Sequence, residues 1–286
     1  CPTLPVIRFT KVGRLGNQLS SYVNMLVLER SFMVAAYMPA NIRKHIQAFF
    51  TNVTMPVFES ISHCDIQFGK ITSFSQFSNT NSECYSKTKK RIDLCFPPNI
   101  STQGEGLWTE RGHTGPRFEL IKHHMDWLFQ NHLKLNINLQ KNADDVLSKY
   151  RSADYSIVGV HVRRTDYEKL LGGKYPHNPL FYKEAVNLLS KQRGEMEVVV
   201  LSDDMEWCRQ NIQIPGAHFI GRYKCFQSFL LDLAILSSCD HSVIDYGTFG
   251  VWGAFLSRGD TILPQSATIK YKQFPKLLNW TVMEGY

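Results

Sequence analysis

The chain has 286 residues, of which 43% are hydrophobic and 20% charged, and its formal net charge at neutral pH is +7. This composition supplies enough apolar residues for a large core, so it excludes a disordered protein, and the length predicts two domains of roughly 100–200 residues. The positive charge suits an anionic ligand. Because no basic stripe alternates with aromatic residues, a nucleic-acid partner is not expected.

The cysteines and sequons indicate the compartment. The seven cysteines include no Cys-x-x-Cys pair and no cysteine–histidine spacing typical of zinc, so no metal site is predicted. Three Asn-x-Ser/Thr sequons, at Asn52, Asn99 and Asn279, are consistent with a glycoprotein of an oxidising compartment. No apolar run of about 18 residues is present, and the sequence begins at Cys1 rather than at methionine. These features favour the lumenal portion of a secretory-pathway protein whose membrane anchor is absent from this sequence.

The first half of the chain predicts an α/β domain. Val6 to Phe9 is typical of a strand, and a Gly-x-x-Gly turn within Lys11 to Gln18 leads into an apolar helix ending near Glu29. Such a turn brings backbone N–H groups close to a phosphate or a sugar, although a plain tight turn has the same pattern. The other predicted elements are strands at 32–38 and 91–96 and helices at 41–50, from about 117, and at 138–150. Polar residues near Ser152 predict the domain boundary.

The second half alternates strands and helices. Ser156 begins an almost unbroken run of β-branched residues, which predicts a strand buried on both faces of a parallel sheet. A Gly- and Pro-containing loop at 168–179 is expected to cover the site. The elements that follow are strands at 197–201, 218–220 and 241–244 and helices at 180–193, through Trp207, at 227–237 and at 251–256. Strands alternating with helices predict a parallel sheet with helices on both faces.

Three strand ends carry the chemistry: His161 to Asp166, Ser202 to Asp204, and Asp245 to Gly250. The carboxyl ends of parallel strands share one edge of the sheet, where open α/β sheets bind ligands. The adjacent arginines Arg163 and Arg164 indicate phosphate binding, and a structural network with nearby carboxylates is the alternative. The glycine-rich turn before the last helix presents N–H groups to a diphosphate. Together these residues predict a nucleoside-diphosphate pocket.

These residues resemble the galactoside α-1,2-fucosyltransferases. The similarity covers Gly13 to Gln18, Val160 to Tyr167, Met205 to Ile212, Asp232 to His241 and Gly247 to Trp252. His-x-Arg-Arg-x-Asp is shared with α-1,6 and protein O-fucosyltransferases, so it indicates the donor GDP-fucose better than the linkage. The block at 247–252 is more specific to the α-1,2 group.

The resemblance implies a fold and a reaction. The expected fold is a GT-B-like α/β variant with two Rossmann-like domains whose parallel sheets face a cleft. Residues 1–152 form the acceptor-side domain, and residues 153–286 form the domain that binds GDP-fucose. The implied reaction is inverting transfer of L-fucose to the 2-hydroxyl of a terminal galactoside on a glycan. Transfer to GlcNAc or to protein hydroxyls is the alternative, followed by a carbohydrate-binding protein without turnover.

The resemblance also assigns site residues. Arg164 binds the developing charge on the β-phosphate, His161 is a further catalytic candidate, and Asp166 is either the general base or a salt-bridge partner of Arg163. The donor-binding residues are Arg14, Gly16, Asn17, Arg163, Ser202, Asp203, Asp204, Gly247, Thr248, Phe249 and Gly250. The chain departs from the vertebrate pattern at 202–204, where Ser-Asp-Asp replaces Ser-Asn-Gly.

Two further expectations concern metal and location. No Asp-x-Asp motif is placed to hold a divalent ion on the diphosphate, so neither metal nor cofactor is expected beyond the donor substrate itself. The family resemblance implies a Golgi-lumen enzyme held as a single-pass type II membrane protein through an N-terminal signal-anchor.

Overall fold

The computed structural model describes residues 1–2, 6–11, 13–32, 34–64, 107–111, 116–165, 178–221, 226–269, 278 and 280–286. They form two compact units, Cys1–Lys134 and Leu135–Tyr286. The division precedes the predicted boundary near Ser152 because the helix Ile137–Leu147 belongs to the second unit. It packs on the helix Phe226–Ser237, and Gln140 Nε2 donates a hydrogen bond to Ser238 Oγ at 2.9 Å.

The first unit contains a parallel sheet of three strands in the order β2-β1-β3. Its strands are β1 (Val6–Lys11), β2 (Ala35–Tyr37) and β3 (Leu107–Arg111). Its helices are α1 (Leu15–Phe32), α2 (Ala40–Phe49), α3 (Phe118–Ile121) and α4 (Met125–Asn131), with 3-10 turns at Phe58–Ile61 and Lys122–His124. The predicted strand at 91–96 lies outside the described residues. β3 was not predicted because Thr109, Glu110 and Arg111 interrupt any apolar run.

The second unit contains a parallel sheet of six strands in the order β6-β5-β4-β7-β8-β9. These strands are β4 (Ser156–Val162), β5 (Met196–Ser202), β6 (His218–Phe219), β7 (His241–Ile244), β8 (Thr261–Pro264) and β9 (Thr281–Met283). Counted within this unit the order is 3-2-1-4-5-6, the doubly wound arrangement, which reverses direction between β4 and β7. The two last strands, β8 and β9, were not predicted.

The helices of the second unit are α5 (Ile137–Leu147), α6 (Leu180–Arg193), α7 (Met205–Asn211), α8 (Phe226–Ser237) and α9 (Thr248–Ser257), with a 3-10 turn at Gln265–Ile269. The side chains of β4 are buried on both faces, as predicted. Gly159 allows α8 to pack directly on this strand, since a Cβ atom there would lie 2.7 Å from Leu236 Cδ1. The central strand is therefore fixed in place immediately before the arginines.

The four cysteines among the described residues are either paired or buried. Cys1 and Cys64 form a disulfide that ties the start of the chain to the segment after the 3-10 turn at Phe58–Ile61. Cys208 and Cys239 are buried and carry free thiols. Within the described parts of the chain, no helix is both long and apolar enough to cross a membrane.

Candidate functional site

The three strand ends predicted from the sequence meet at one edge of the second sheet. β4 lies between β5 and β7, and all three strands run parallel, so their carboxyl ends lie side by side. The register pairs Val162 with Ser202 and His161 with Ile244, which places residues 163–165 between residues 203–204 and residue 245. This is the switch point of the sheet, where doubly wound domains bind their ligands.

Asp203 holds the chain that leaves β4. One of its carboxylate oxygens accepts from Arg163 Nη1 at 2.7 Å and from the Thr165 hydroxyl at 2.6 Å, and the other accepts from the Arg164 N–H at 2.8 Å. The Asp203 side chain is 3% exposed and that of Arg163 is 9% exposed. Asp203 therefore stabilises the turn that follows β4.

Arg164 is fixed on both an edge and a face of its guanidinium. Its Nε donates to Asp204 Oδ2 at 3.1 Å, and its Cζ lies 3.9 Å from the centre of the Trp207 ring. Asp204 also caps α7, because its Oδ1 accepts from the Trp207 N–H at 3.1 Å. One aspartate thus orients both the arginine and the helix that carries the stacking tryptophan. Arginine alone combines a planar hydrogen-bonding fork with a flat face that stacks on an aromatic ring.

Both arginine side chains lie on the β5 side of the exit from β4. Side chains alternate between the two faces only within a strand. β4 ends at Val162, so neighbouring residues beyond it can lie on the same side. The carboxylates that pair with the arginines come from the neighbouring strand end, while Asp166 lies outside the described residues.

Trp207 was not among the predicted site residues. The signal was present in the sequence. The side chain of a helix N-cap residue accepts from the backbone N–H three residues later, and Trp207 lies three residues after Asp204. The family resemblance over Met205 to Ile212 did not predict that Trp207 contacts Arg164.

The first turn of α9 faces the same edge. Gly247 has φ 93° and precedes the first helical residue, Thr248. A positive φ favours glycine, which has no Cβ to clash. The helical hydrogen bonds of α9 begin with the Val251 N–H, which donates to the Gly247 carbonyl oxygen at 3.4 Å. The N–H groups of Thr248, Phe249 and Gly250 therefore form the positive end of the helix dipole.

His161 lies behind this turn. The side chain is 2% exposed, and its ring stacks on Phe249 with centroids 5.1 Å apart. Gly250 leaves room for the imidazole, since a Cβ atom there would lie 2.9 Å from Nδ1. The geometry makes His161 a support for the first turn of α9, and its predicted catalytic role is not visible in these contacts.

Ser202 and Cys208 stabilise the turn that carries the two aspartates. Ser202 is fully buried, and its hydroxyl oxygen accepts from the Asp204 N–H at 2.9 Å. The Cys208 thiol is hydrogen-bonded to Ser202, and burial raises the pKa of this thiol to about 12. Cys208 is consequently an inert neutral side chain at neutral pH, and Ser202 supports the turn from behind.

The predicted glycine-rich turn belongs to the first unit. The Asn17 and Gln18 N–H groups both donate to the Arg14 carbonyl, at 3.0 and 3.1 Å. α1 begins at Leu15, so Gly16 and Asn17 lie in its first turn rather than in a preceding loop. Gln18 Nε2 donates to the Gly13 carbonyl at 3.0 Å, and its Oε1 lies 2.9 Å from His45 Nδ1. The turn is therefore stabilised by hydrogen bonds from its own backbone N–H groups and from the buried Gln18 side chain.

Two of the predicted glycosylation sites, Asn99 and Asn279, lie outside the described residues. Asn52 is exposed in the segment after α2, and its Nδ2 donates to the Asn131 carbonyl at 3.3 Å. Thr54, the third residue of this sequon, is also exposed. Asn52 is therefore accessible to a modifying enzyme.

Among the described residues, one group of three side chains could supply metal ligands. It consists of Cys1, His63 and Cys64, and its two sulfurs are joined in the disulfide. Because both sulfurs are bonded to each other, this group offers no thiolate pair to a metal.

A six-stranded doubly wound sheet with two fixed arginines and a helix N-terminus at its switch point defines a nucleotide-binding α/β domain. The model of glycosyl transferase family 11 matches residues 6–284. The chain belongs to this family.

Relatives with curated names agree with this assignment. The chain is 26% identical over 284 residues to galactoside alpha-(1,2)-fucosyltransferase 2 of Sus scrofa, covering 93% of this chain and 74% of the relative. It is 31% identical over 275 residues to galactoside alpha-(1,2)-fucosyltransferase 1 of Plecturocebus brunneus, covering 93% and 69%.

Solved structures show the same fold at low sequence identity. NodZ alpha-1,6-fucosyltransferase soaked with GDP-fucose matches with a TM-score of 0.54 at 15% identity, covering 89% of this chain and 93% of that one. POFUT1 in complex with GDP-fucose matches with a TM-score of 0.55 at 13% identity, covering 91% and 96%. The predicted GT-B-like α/β class is confirmed.

Proposed function

We propose that this chain transfers L-fucose from GDP-fucose to the 2-hydroxyl of a terminal galactoside on a glycan, with inversion at the anomeric carbon. The observation that carries the proposal is the placement of Arg164 and the first turn of α9 after neighbouring parallel strands, at the switch point of the second sheet, in a chain of glycosyl transferase family 11. The names of its relatives favour a galactoside as acceptor.

The site suits the charge that develops in this reaction. As the acceptor oxygen attacks the anomeric carbon, the bond to the β-phosphate breaks and negative charge grows on the departing GDP. Groups that bind this charge more strongly in the transition state accelerate the reaction. We assign that role to the Arg164 guanidinium, the Thr248 hydroxyl and the N–H groups of Phe249 and Gly250. Asp203 and Asp204 hold the arginines in advance, so little reorganisation accompanies the reaction.

The remaining roles rest on hydrogen bonds for Arg163 and Ser202 and on the family resemblance for the other residues. Arg163 braces the exit of β4 through Asp203, and Ser202 supports the turn that carries Asp204. Asp166 is proposed as the group that takes the proton from the acceptor hydroxyl. Three residues of the first unit are also proposed to contact GDP-fucose: Arg14, Gly16 and Asn17. Asn17→Ala tests this contact without changing any residue of the second unit.

The test is release of GDP from GDP-fucose by the purified chain. The acceptors are lactose, type 1 and type 2 disaccharides, and a GlcNAc-terminated glycan. Release that requires a terminal galactose, with an α-1,2 linkage in the product, supports the proposal. Release that requires the GlcNAc-terminated acceptor assigns a different fucosyltransferase. If GDP-fucose raises the melting temperature but no acceptor is used, the donor assignment stands alone and the galactoside assignment fails.

We also propose that no divalent metal takes part. Arginine and helix-terminal N–H groups supply the electrostatic stabilisation that Mg²⁺ provides in other nucleotide-sugar sites. Fucosyl transfer is therefore expected to proceed at an unchanged rate in excess EDTA. A loss that added Mg²⁺ or Mn²⁺ restores would contradict this expectation, and a matched assay without EDTA is the control.

The native location proposed is the Golgi lumen, with an N-terminal signal-anchor outside this sequence. Expression in a secretory host is then expected to add a glycan at Asn52, seen as a mass that falls on treatment with a peptide-N-glycosidase. Thr54→Ala removes the sequon and should abolish that change at this position. An unmodified Asn52 in a secreted and folded chain would count against the proposed site.

A further inference from the structure

A buried tyrosine–aspartate pair lies directly behind the exit of β4. Asp245 follows the last residue of β7 and is 1% exposed. Its Oδ2 accepts from the Arg163 N–H at 2.6 Å and from the Tyr182 hydroxyl at 2.8 Å. Tyr182 is fully buried in the first turn of α6. One carboxylate oxygen thus joins the ends of two strands to the start of a helix.

The same aspartate adjoins the first turn of α9. Asp245 lies two residues before Gly247, where that turn begins. Its second oxygen, Oδ1, lies 3.7 Å from Nδ1 of His161, whose ring stacks on Phe249. The Asp245 carboxylate therefore connects the exit of β4 with the residues that pack on the first turn of α9. These are the two parts of the site to which the transition-state contacts were assigned.

We propose that Tyr182 and Asp245 are positioning residues for fucosyl transfer, a proposal that rests on the function proposed above. Neither is assigned a contact with the donor or the acceptor. Tyr182 fixes the rotation of the Asp245 carboxylate, and Asp245 fixes the peptide that joins Arg163 to Val162. Arg164 follows at once, so the hydroxyl of Tyr182 contributes to the position of the backbone from which the Arg164 guanidinium reaches Asp204 and Trp207. A buried carboxylate that loses a donor turns toward its remaining partners, because an unsatisfied charge in the interior is costly.

The test compares Tyr182→Phe with Tyr286→Phe. The hydroxyl of Tyr286 also donates to a carboxylate of α6, that of Glu184, but Glu184 is exposed and this hydrogen bond involves neither Asp245 nor the exit of β4. Tyr182→Phe is expected to lower kcat by about 10- to 100-fold, since small displacements of a catalytic group have effects of this size. The KM for GDP-fucose should change much less, because the lost interaction acts in the transition state. Tyr286→Phe should leave both constants as in the wild type.

A second pair of variants separates geometry from charge. Asp245→Asn keeps an oxygen that accepts from the same two donors, whereas Asp245→Ala keeps none. The asparagine variant is expected to retain more kcat than the alanine variant. Equal losses in two folded variants would assign the effect to the charge and overturn the positioning role.

The outcomes distinguish this inference from the function on which it rests. If the wild type transfers fucose and Tyr182→Phe behaves as Tyr286→Phe does, the positioning role is refuted while the function stands. The same holds if Tyr182→Phe lowers only the melting temperature. A wild type that neither binds GDP nor transfers fucose overturns both.

Discussion

Arg164→Ala is expected to lower the kcat of fucosyl transfer by roughly 10²–10³, the usual cost of removing one donor that binds developing negative charge. The guanidinium is held by Asp204 on one edge and by the Trp207 ring on one face, so its place does not depend on the ligand. The measurement is kcat for GDP release with a galactoside acceptor, alongside the affinity for GDP.

Arg164→Lys is expected to recover little of this loss. A lysine ammonium has neither the planar fork that bonds Asp204 and a phosphate together nor the face that stacks on Trp207. The matched control is Arg193→Ala. Arg193 also donates through Nε to a carboxylate, that of Asp260 at 2.5 Å, but it lies at the end of α6 and is 54% exposed. A folded Arg164→Ala protein with more than about a tenth of wild-type kcat would contradict the role assigned to Arg164.

Asp203→Ala is expected to have the largest effect on stability, about 3–5 kcal/mol lost from the free energy of unfolding of the second unit. Asp203 is nearly inaccessible and accepts three hydrogen bonds from residues 163–165. Its removal leaves the Arg163 charge buried without this carboxylate, together with an unsatisfied peptide N–H. Urea unfolding measures the change, with each unit followed as its own transition.

The control for Asp203 is Asp260→Ala. Asp260 pairs with Arg193 at the surface, and exposed pairs of this kind contribute little to stability because solvent screens them. The pKa of the Asp260 carboxyl is lowered mainly by its hydrogen bond from Arg193, so its small contribution is present at neutral pH and is lost on acidification. If Asp203→Ala lowered the free energy of unfolding by no more than Asp260→Ala does, the hydrogen bonds of Asp203 would not be needed for stability.

Much of the second unit followed from its sequence. The β-branched run at 157–162, the alternation of strands with helices and the turn at Gly247 each predict local structure through short-range properties of the chain. Because parallel strands share one carboxyl edge, those elements also predicted that residues 163–164, 203–204 and 247–250 would meet. The family was identified from five blocks of residues, two of which lie at these strand ends, and the match over 6–284 confirmed it.

The sequence was less informative where the local signal is weak. β3, β8 and β9 are short or interrupted by polar residues, and they exist because neighbouring strands offer hydrogen-bond partners. The unit boundary falls before α5 because that helix packs on α8. Neither packing nor strand pairing can be derived from residues that are close together in the chain.

The tertiary structure alone decided which side chains pair at the site. The sequence identified Arg163, Arg164, Asp203 and Asp204 but left open whether the arginines bind an aspartate or a ligand, and it overlooked Tyr182. The pairs form between residues about 40 to 80 positions apart, so their geometry depends on the register of three strands and on the packing of α6 and α7. Composition and periodicity determine which elements form. Only the folded chain determines which charges lie within hydrogen-bonding distance.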